Sequence, residues 1–369
     1  MRKRRSGSSH PQHWLLAAVE VGMSHLAITR SARARVVAPA VLVAVAASVM
    51  LLGAQAGFID DAQRRVLMPA KVARVFAAGG PAEVFLYTLL PDMLVGRNRV
   101  PEGAAIEFFP PRYRTPVLIR RLPMANNPAA DAELVALTPD LYVDYGTVDD
   151  DYVAAVNAVQ KRTGVAAIIL DGALARIPEA YRRVGEAVNA ADRGNRLGDA
   201  ADRLLKTYRG TLAHGKPVRV YLACSPDGFE PCLSDQPAGE QLQWLGGVNV
   251  AGSEASAPLR ALTIDEIRTL APDAIIVNGP AGTAARLRTT PAWQTVAAVG
   301  AGRVYEWPLL PYSWGARPPS VNRLPGVAWL AYVAAGRPFD TAFANEIRAF
   351  YRDFYHLDLT DAQVQRLLR

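Results

Sequence analysis

Asp192-Arg193-Gly194-Asn195-Arg196-Leu197-Gly198-Asp199-Ala200-Ala201-Asp202-Arg203-Leu204-Leu205-Lys206-Thr207-Tyr208-Arg209-Gly210-Thr211-Leu212-Ala213-His214 is the stretch whose reading decides the fold. Its apolar residues Leu197, Ala200, Ala201, Leu204, Leu205, Tyr208 and Leu212 recur at intervals of three and four. Arg193, Arg196, Asp202, Arg203, Lys206 and Arg209 fill the other face. That pattern predicts one amphipathic helix over 192–214, about 30 Å long at roughly 1.5 Å per residue. Such a helix lies on the surface of one large domain or spans two smaller ones, and the segments around it decide between these.

Upstream, Asp131 to Asp140 (DAELVALTPD) leads into Leu141-Tyr142-Val143-Asp144-Tyr145-Gly146. Downstream, Thr263 to Asp273 (TIDEIRTLAPD) leads into Ala274-Ile275-Ile276-Val277-Asn278-Gly279. Each is a short helix with acidic residues in its first turn, stopped by a proline that disfavours helical geometry in the residue before it. A largely apolar run ending in glycine follows, broken only by Asp144 in the first copy and by Asn278 before the glycine in the second. Apolar runs flanked by helices read as buried parallel strands. The same helix–strand unit on either side of a connecting helix predicts two doubly wound α/β lobes: an N-terminal lobe over 69–191, the bridge over 192–214, and a C-terminal lobe over 215–369.

The chain carries 41 Lys and Arg against 34 Asp and Glu, a net charge of +7. Seven of the basic residues and a single acid, Glu20, fall in the first 56 positions, which leaves 34 basic against 33 acidic residues in the remainder. The basic balance therefore belongs to a leader and gives no support to a nucleic-acid partner. Val36 to Ile59 is uncharged, with a Val/Ala/Leu-rich centre followed by Ala54-Gln55-Ala56, the order of a secretory signal peptide cleaved after Ala56. An uncleaved membrane anchor is the rival reading, since 24 uncharged residues can span a bilayer. A translation start at Met23 gives a basic flank of ordinary length. Export to the periplasm also fits the two cysteines, Cys224 and Cys232, which an oxidising compartment would join across a turn containing Pro226, Gly228 and Pro231. A metal-binding pair is the competing reading of the same spacing.

Within the lobes, strands are expected at 74–78, 93–96, 141–145, 166–171, 218–223, 275–278 and 303–307. Helices are expected at 82–90, 149–163, 239–245, 320–334, 341–355 and 360–368. The motifs of catalysis are missing: there is no G-x-S-x-G, no phosphate loop and no dinucleotide fingerprint. His10, His13 and His25 lie in the leader, and His214 and His356 fall in different regions, so a bare metal site built on clustered imidazoles is not expected. The loops are instead aromatic and cationic. Tyr312-Ser313-Trp314-Gly315-Ala316-Arg317 offers flat apolar faces and a guanidinium fork for carboxylate or other anionic oxygen. The helix expected to start at Ser320 adds free N–H groups. Tyr145 and Phe229 stand at expected strand ends, where open α/β sheets place ligands, and Arg112 lies on a proline-rich loop. An equally ordinary reading makes these core-packing aromatics with solvated arginines.

From Pro69 to Arg369 the chain resembles the substrate-binding proteins of ABC importers, in the group with two lobes joined by one long helix that take up ferric siderophores, haem and cobalamin. The resemblance rests on Ala136-Leu137-Thr138-Pro139-Asp140, Asp227-Gly228-Phe229-Glu230, Leu245-Gly246-Gly247-Val248-Asn249-Val250 and Trp314 through Ser320 into Trp329-Leu330-Ala331. The tail Phe350 to Tyr355 with Leu359-Thr360 belongs to it as well. It implies no catalysis and no cofactor of the protein's own. It implies a monomer whose ligand sits between the lobes and whose closed form docks on a membrane-embedded permease through one acid on each lobe. At the positions matching those acids this sequence has Ala132 and Gln243, with Glu133 and Glu240 close by to substitute. The expected cargo is an iron–siderophore-like complex held by Tyr145, Phe229, Tyr312, Trp314, Arg317 and Arg112. Cobalamin, haem and a nickel or oxyanion complex are the alternatives, and an exported α/β enzyme acting on metal chelates is the reading from a different class.

Overall fold

The structure, a computed structural model, describes residues 57–119, 127–256 and 260–368. The expected leader, 1–56, lies outside the described residues. The described chain begins with a short antiparallel pair, β1 (Gly57–Ile59) and β2 (Arg65–Leu67). Buried Asp60 in the turn between them accepts from Arg64 Nη2 at 2.6 Å and from Ile169 N at 3.1 Å, which fixes the pair to the edge of the first sheet.

That sheet contains β3 (Val75–Ala77), β4 (Leu141–Gly146) and β5 (Ala166–Asp171), all parallel and in sequence order. Helices α1 (Gly80–Leu89), α2 (Pro128–Ala136) and α3 (Asp150–Thr163) supply the crossovers that parallel pairing requires, and α4 (Ile177–Ala187) follows β5. Val75, Leu141, Val143, Ile168 and Leu170 enter one core cluster, while Phe76, Tyr142, Ala167 and Ile169 enter another. With both faces covered, the strands have no polar side to alternate with. The strand expected at 93–96 is a single bridge, Val75 to Leu94. Val75 N donates to Met93 O at 2.8 Å and Val95 N to Val75 O at 3.1 Å, after which the chain pairs Arg97 with Leu118.

The helix expected over 192–214 is α5 (Ala191–Tyr208), 18 residues or about 27 Å. It stops six residues early because Arg209 is extended and Gly210 takes a positive φ. Its first half lies hard against α4, where an added Cβ on Gly194 would stand 3.0 Å from the Gly185 Cα. Its end is held from the other side: Trp244 Nε1 donates to Leu205 O at 2.8 Å, and Gly210 N to Trp244 O at 3.0 Å.

The second sheet has the parallel order β7-β6-β8-β9, built from β6 (Arg219–Ala223), β7 (Val248–Asn249), β8 (Ala274–Val277) and β9 (Val304–Glu306). Between these strands run α6 (Pro237–Trp244), α7 (Ile264–Leu270), α8 (Thr283–Thr289), α9 (Pro291–Gln294) and α10 (Ala297–Gly300). The echo seen in the sequence has a matching atomic arrangement. In the first copy, Asp140 Oδ2 accepts from Arg74 N at 2.9 Å, and the Arg74 guanidinium donates to Leu137 O, an end carbonyl of α2, at 2.7 Å. In the second, Asp273 Oδ2 accepts from Arg219 N at 2.9 Å, and the Arg219 guanidinium donates to Leu270 O of α7 at 2.7 Å. The pre-proline residues Thr138 and Ala271 both adopt positive φ, 46° and 45°. Each unit thus joins a strand start to the unpaired carbonyls of a helix end through one Arg and one Asp.

The chain closes with α11 (Arg323–Ala334), α12 (Thr341–Tyr355) and α13 (Asp361–Leu367). Every residue of α11 is buried. It shares one hydrophobic cluster with Leu141, Val143 and Ile168 of the first sheet and with Val220, Leu222 and Ile276 of the second, so the two sheets have a common core. Among the described residues no helix is long and apolar enough to cross a membrane.

Candidate ligand-binding site

Open α/β sheets expose loops at the carboxyl ends of their strands, and ligands bind there. In this chain the strand ends of both sheets meet one segment, Tyr312 to Arg323. On the first side, Ser320 Oγ donates to Pro81 O at 2.7 Å, and an added Cβ on Gly80 would stand 3.3 Å from Pro318. Both contacts lie at the α1 start, just after β3. On the second side, Arg317 Nη2 donates to the Cys224 carbonyl after β6 at 2.8 Å, and Gly315 lies beside Trp307 and the Asn278 side chain, after β9 and β8. The segment is stiff because Asn322 Nδ2 donates back to the carbonyls of Ser313 and Pro318.

Arg323 completes the junction. Its side chain is 1% exposed; Nη1 pairs with Glu240 Oε2 at 2.5 Å, Nε donates to Ser320 O at 3.2 Å, and Nη2 donates to Gly172 O beyond β5. The other Glu240 oxygen accepts from Leu174 N at 2.7 Å. One buried cation therefore holds α6 and α11 to the loop after β5.

The sequence-derived candidates divide by burial. Arg317 is exposed and forms no ion pair among the described residues, so its remaining donors face solvent at the junction. Phe229 is half-buried on a turn that is fixed by Ser225 Oγ donating to Asp227 at 2.5 Å and by Gly228 at a φ of +84°. Its ring centroid lies 5.3 Å from that of buried Trp293. The Ser225 hydroxyl, with the Phe229 N–H, holds the exposed Asp227 carboxyl below the usual range, so this turn carries a negative charge. Tyr312 is half-buried; its hydroxyl accepts from Arg97 and its ring meets Phe109 and Tyr355 edge-on at 5.8 and 5.9 Å.

Two others sit in the core. Trp314 is fully buried against Tyr351, and Tyr145 is 2% exposed with its ring stacked 5.4 Å from Phe85. Large aromatics at strand ends fill the space beneath the loops before they can face a ligand. Burial, reinforced by the charges of Glu240 and Asp171 and opposed by Arg323, also pushes the Tyr145 hydroxyl well above its ordinary pKa. Ser320 does not cap a helix: α11 begins at Arg323, and the Ser320 hydroxyl is used on Pro81. Arg112 is exposed over the Tyr113 ring at 4.6 Å and lines a pocket formed wholly by residues 87–117, not the junction. Glu133 is exposed on α2, whereas both Glu240 oxygens are engaged within the chain. Cys224 and Cys232 are joined, with Cα atoms 5.4 Å apart.

Sequence reasoning passed over Arg97, Glu83 and Arg323. Glu83 lies inside an apolar run, Ala82-Glu83-Val84-Phe85, while Arg97 ends one, Met93-Leu94-Val95-Gly96, and Arg323 begins one, Leu324-Pro325-Gly326-Val327. That setting is the available signal for a buried charge in need of a partner. Among the described residues no group of three or more His, Cys, Asp or Glu is placed to hold a metal ion.

Residues 132–309 match the family model described as periplasmic binding protein. The matched region, a little under half of the chain, runs from α2 through β9, so it takes in strands of both sheets. Among solved structures, an ABC transporter solute binding protein from Sulfurospirillum deleyianum superposes with a TM-score of 0.74 at 20% identity, covering 85% of this chain and 99% of that one. The molybdate periplasmic binding protein MolA of Haemophilus influenzae, bound to molybdate, gives a TM-score of 0.62 at 18% identity, over 83% of this chain and 99% of that one. Helicobacter pylori CeuE with Ni(II) bound gives 0.58 at 16% identity, over 82% and 96%. A search of curated proteins gave no sequence match. The family model is named for periplasmic binding proteins, and the first two of these structures are named as binding proteins of ABC transporters.

Proposed function

We propose that this chain captures a ferric-siderophore-like metal chelate at the junction of its two sheets and delivers it to an ABC importer permease. The observation that carries the reading is the convergence of strand ends from both sheets on the segment 312–323, with Arg317 exposed there beside the turn bearing Phe229. A chelate arrives with its metal already coordinated, so its receptor needs flat apolar surface and a cation for ligand oxygens, and no metal-binding cluster. Phe229, Tyr312 and Arg317 provide the contacts in this reading, with Trp314 and Tyr145 supporting them from below.

We take 69–191 and 215–369 as the two lobes and α5 as their bridge. The shared core through α11 favours small rocking over wide closure, which leaves a largely preformed site. Glu133 is the permease-facing acid on the first lobe. Since Glu240 is engaged with Arg323, the second contact falls to another residue of that lobe. The protein works as a monomer, exported by a cleaved leader.

A second reading is favoured by the similarity to MolA, whose structure holds molybdate: an exposed guanidinium also suits a bare oxyanion. Intrinsic fluorescence separates the two, because Trp293 lies directly beneath Phe229. Saturable quenching by a ferric siderophore, with molybdate and haem silent, supports the chelate. Quenching by molybdate alone transfers the function to oxyanion uptake, and turnover of an added chelate would replace both with an enzyme.

A further inference from the structure

We propose that Glu83 and Arg97, both on the first lobe, are positioning residues of the ligand site: they hold Tyr312, on the second-lobe segment 312–323, in one orientation at the junction. The inference rests on the reading of that junction as the place where cargo binds.

The chain of contacts starts in the first turn of α1. Glu83 is 3% exposed, and its two oxygens are used separately: Oε1 accepts from Arg97 Nε at 2.9 Å and Oε2 from Asn98 N at 2.5 Å. The Arg97 backbone is fixed as well, with its N–H donating to Val117 O at 2.8 Å and its carbonyl accepting from Ile119 N at 2.9 Å. A guanidinium is planar and its donors keep fixed angles to one another, so anchoring Nε on Glu83 sets the direction of Nη2. That nitrogen donates to the Tyr312 hydroxyl. Phe109 and Tyr87, with ring centroids 4.5 and 5.0 Å from the guanidinium carbon, restrict its movement further.

Tyr312 takes up this constraint through its hydroxyl. The residue is only half-buried, so while anchored it keeps surface that a ligand can touch. Its edge-on contacts with Phe109 and Tyr355, at 5.8 and 5.9 Å, fix the rest of the ring.

Stability alone is a poor account of this arrangement. An ion pair so deeply buried has to offset the lost hydration of both charges, and apolar residues of similar volume commonly stabilise a core as well or better. What apolar residues lack is a directed donor. An aromatic side chain held in one pose before the ligand arrives spares the complex the entropy cost of ordering it, which raises affinity without a new contact.

Three variants separate orientation from charge. Arg97→Lys keeps a cation opposite Glu83 without the fork, Glu83→Gln/Arg97→Met removes both charges so that neither is left buried alone, and Tyr312→Phe cuts the same hydrogen bond from its other end. In the full chain with labelled phenylalanine and tyrosine rings, NMR should show Overhauser contacts from Tyr312 to Phe109 and Tyr355 in the parent and their loss in the two variants that keep Tyr312. Fluorescence titration with ferrichrome, a ferric hydroxamate siderophore, should give an affinity about ten-fold weaker in all three, the scale of one aromatic contact. Ring contacts retained in Arg97→Lys and in Glu83→Gln/Arg97→Met would overturn the proposal, as would lost ring contacts with unchanged ferrichrome affinity. The NMR measurement needs no cargo: a parent that ferrichrome does not quench counts against the cargo reading, and the ring contacts alone then decide whether Glu83 and Arg97 position Tyr312.

Discussion

Replacing Glu240 by Gln keeps an oxygen able to accept from Leu174 N and removes only the charge opposite Arg323. Arg323 is 1% exposed and its partner carboxylate 29%, so the variant leaves a guanidinium buried with carbonyl acceptors alone. Breaking a buried pair by removing one partner costs about 3–5 kcal/mol, and the partial exposure of Glu240 places the expected loss near the lower end, about 3 kcal/mol. For a chain of this size that corresponds to a melting temperature lower by about 6 °C, at roughly 2 °C per kcal/mol. Differential scanning calorimetry on Glu240→Gln, Arg323→Met and the double variant measures it. The double variant should lose less than the sum of the single losses, by at least ~1.5 kcal/mol, because neither charge is then left alone. A Glu240→Gln melting temperature within 1 °C of the parent, or additive losses, would refute the claim that this pair ties α6 and α11 to the loop after β5.

Three further outcomes follow from the same geometry. Opening the Cys224–Cys232 link by double substitution to Ser releases a short loop, and chain entropy sets the loss at about 2–3 kcal/mol, measurable as a fall of roughly 5 °C in melting temperature. Burial, opposed by the Tyr87 carbonyl and reinforced by Arg193, depresses the His356 pKa to about 4, so the unfolded chain binds the extra proton between about pH 6.5 and 4. The stability contributed by neutral His356 is accordingly complete above pH 6.5 and lost as pH falls through about 4. After discounting for its partial exposure this is on the order of 1–2 kcal/mol. His356→Asn, which tolerates the φ of 58° there, should flatten that part of a pH–melting curve. Arg317→Ala should weaken cargo binding ten-fold or more in fluorescence titration and shift the melting temperature by less than 1 °C, since only one hydrogen bond, to Cys224 O, is lost.

What was legible in the sequence follows from how each signal arises. The two parallel sheets were readable because both faces of their strands are covered, which makes Ala274–Val277 an uninterrupted apolar run and Leu141–Tyr145 one broken only by the buried Asp144. The Pro-Asp pairs marked the strand starts because Asp140 and Asp273 cap them. The end of α5 was overread because apolar Leu212 continues the helical spacing while its backbone is already bonded to Leu245. At the site, sequence supplies residue type but not depth. Trp314 and Arg317 are three positions apart, yet the indole is fully buried and the guanidinium is exposed. Arg112 was assigned to the same face as Arg317, but the loop that carries it folds against α1 instead, which no local pattern records. The Arg323–Glu240 pair joins residues 83 positions apart through the meeting of α6 and α11, and neither residue announces the other.

Native mass spectrometry of the protein isolated from iron-limited producing cells tests the central claim most directly. The account predicts a single adduct with the mass of one metal chelate per chain, retained by the parent and lost or much reduced in Arg317→Ala. Bare polypeptide in both preparations, or an adduct indifferent to Arg317, would contradict it.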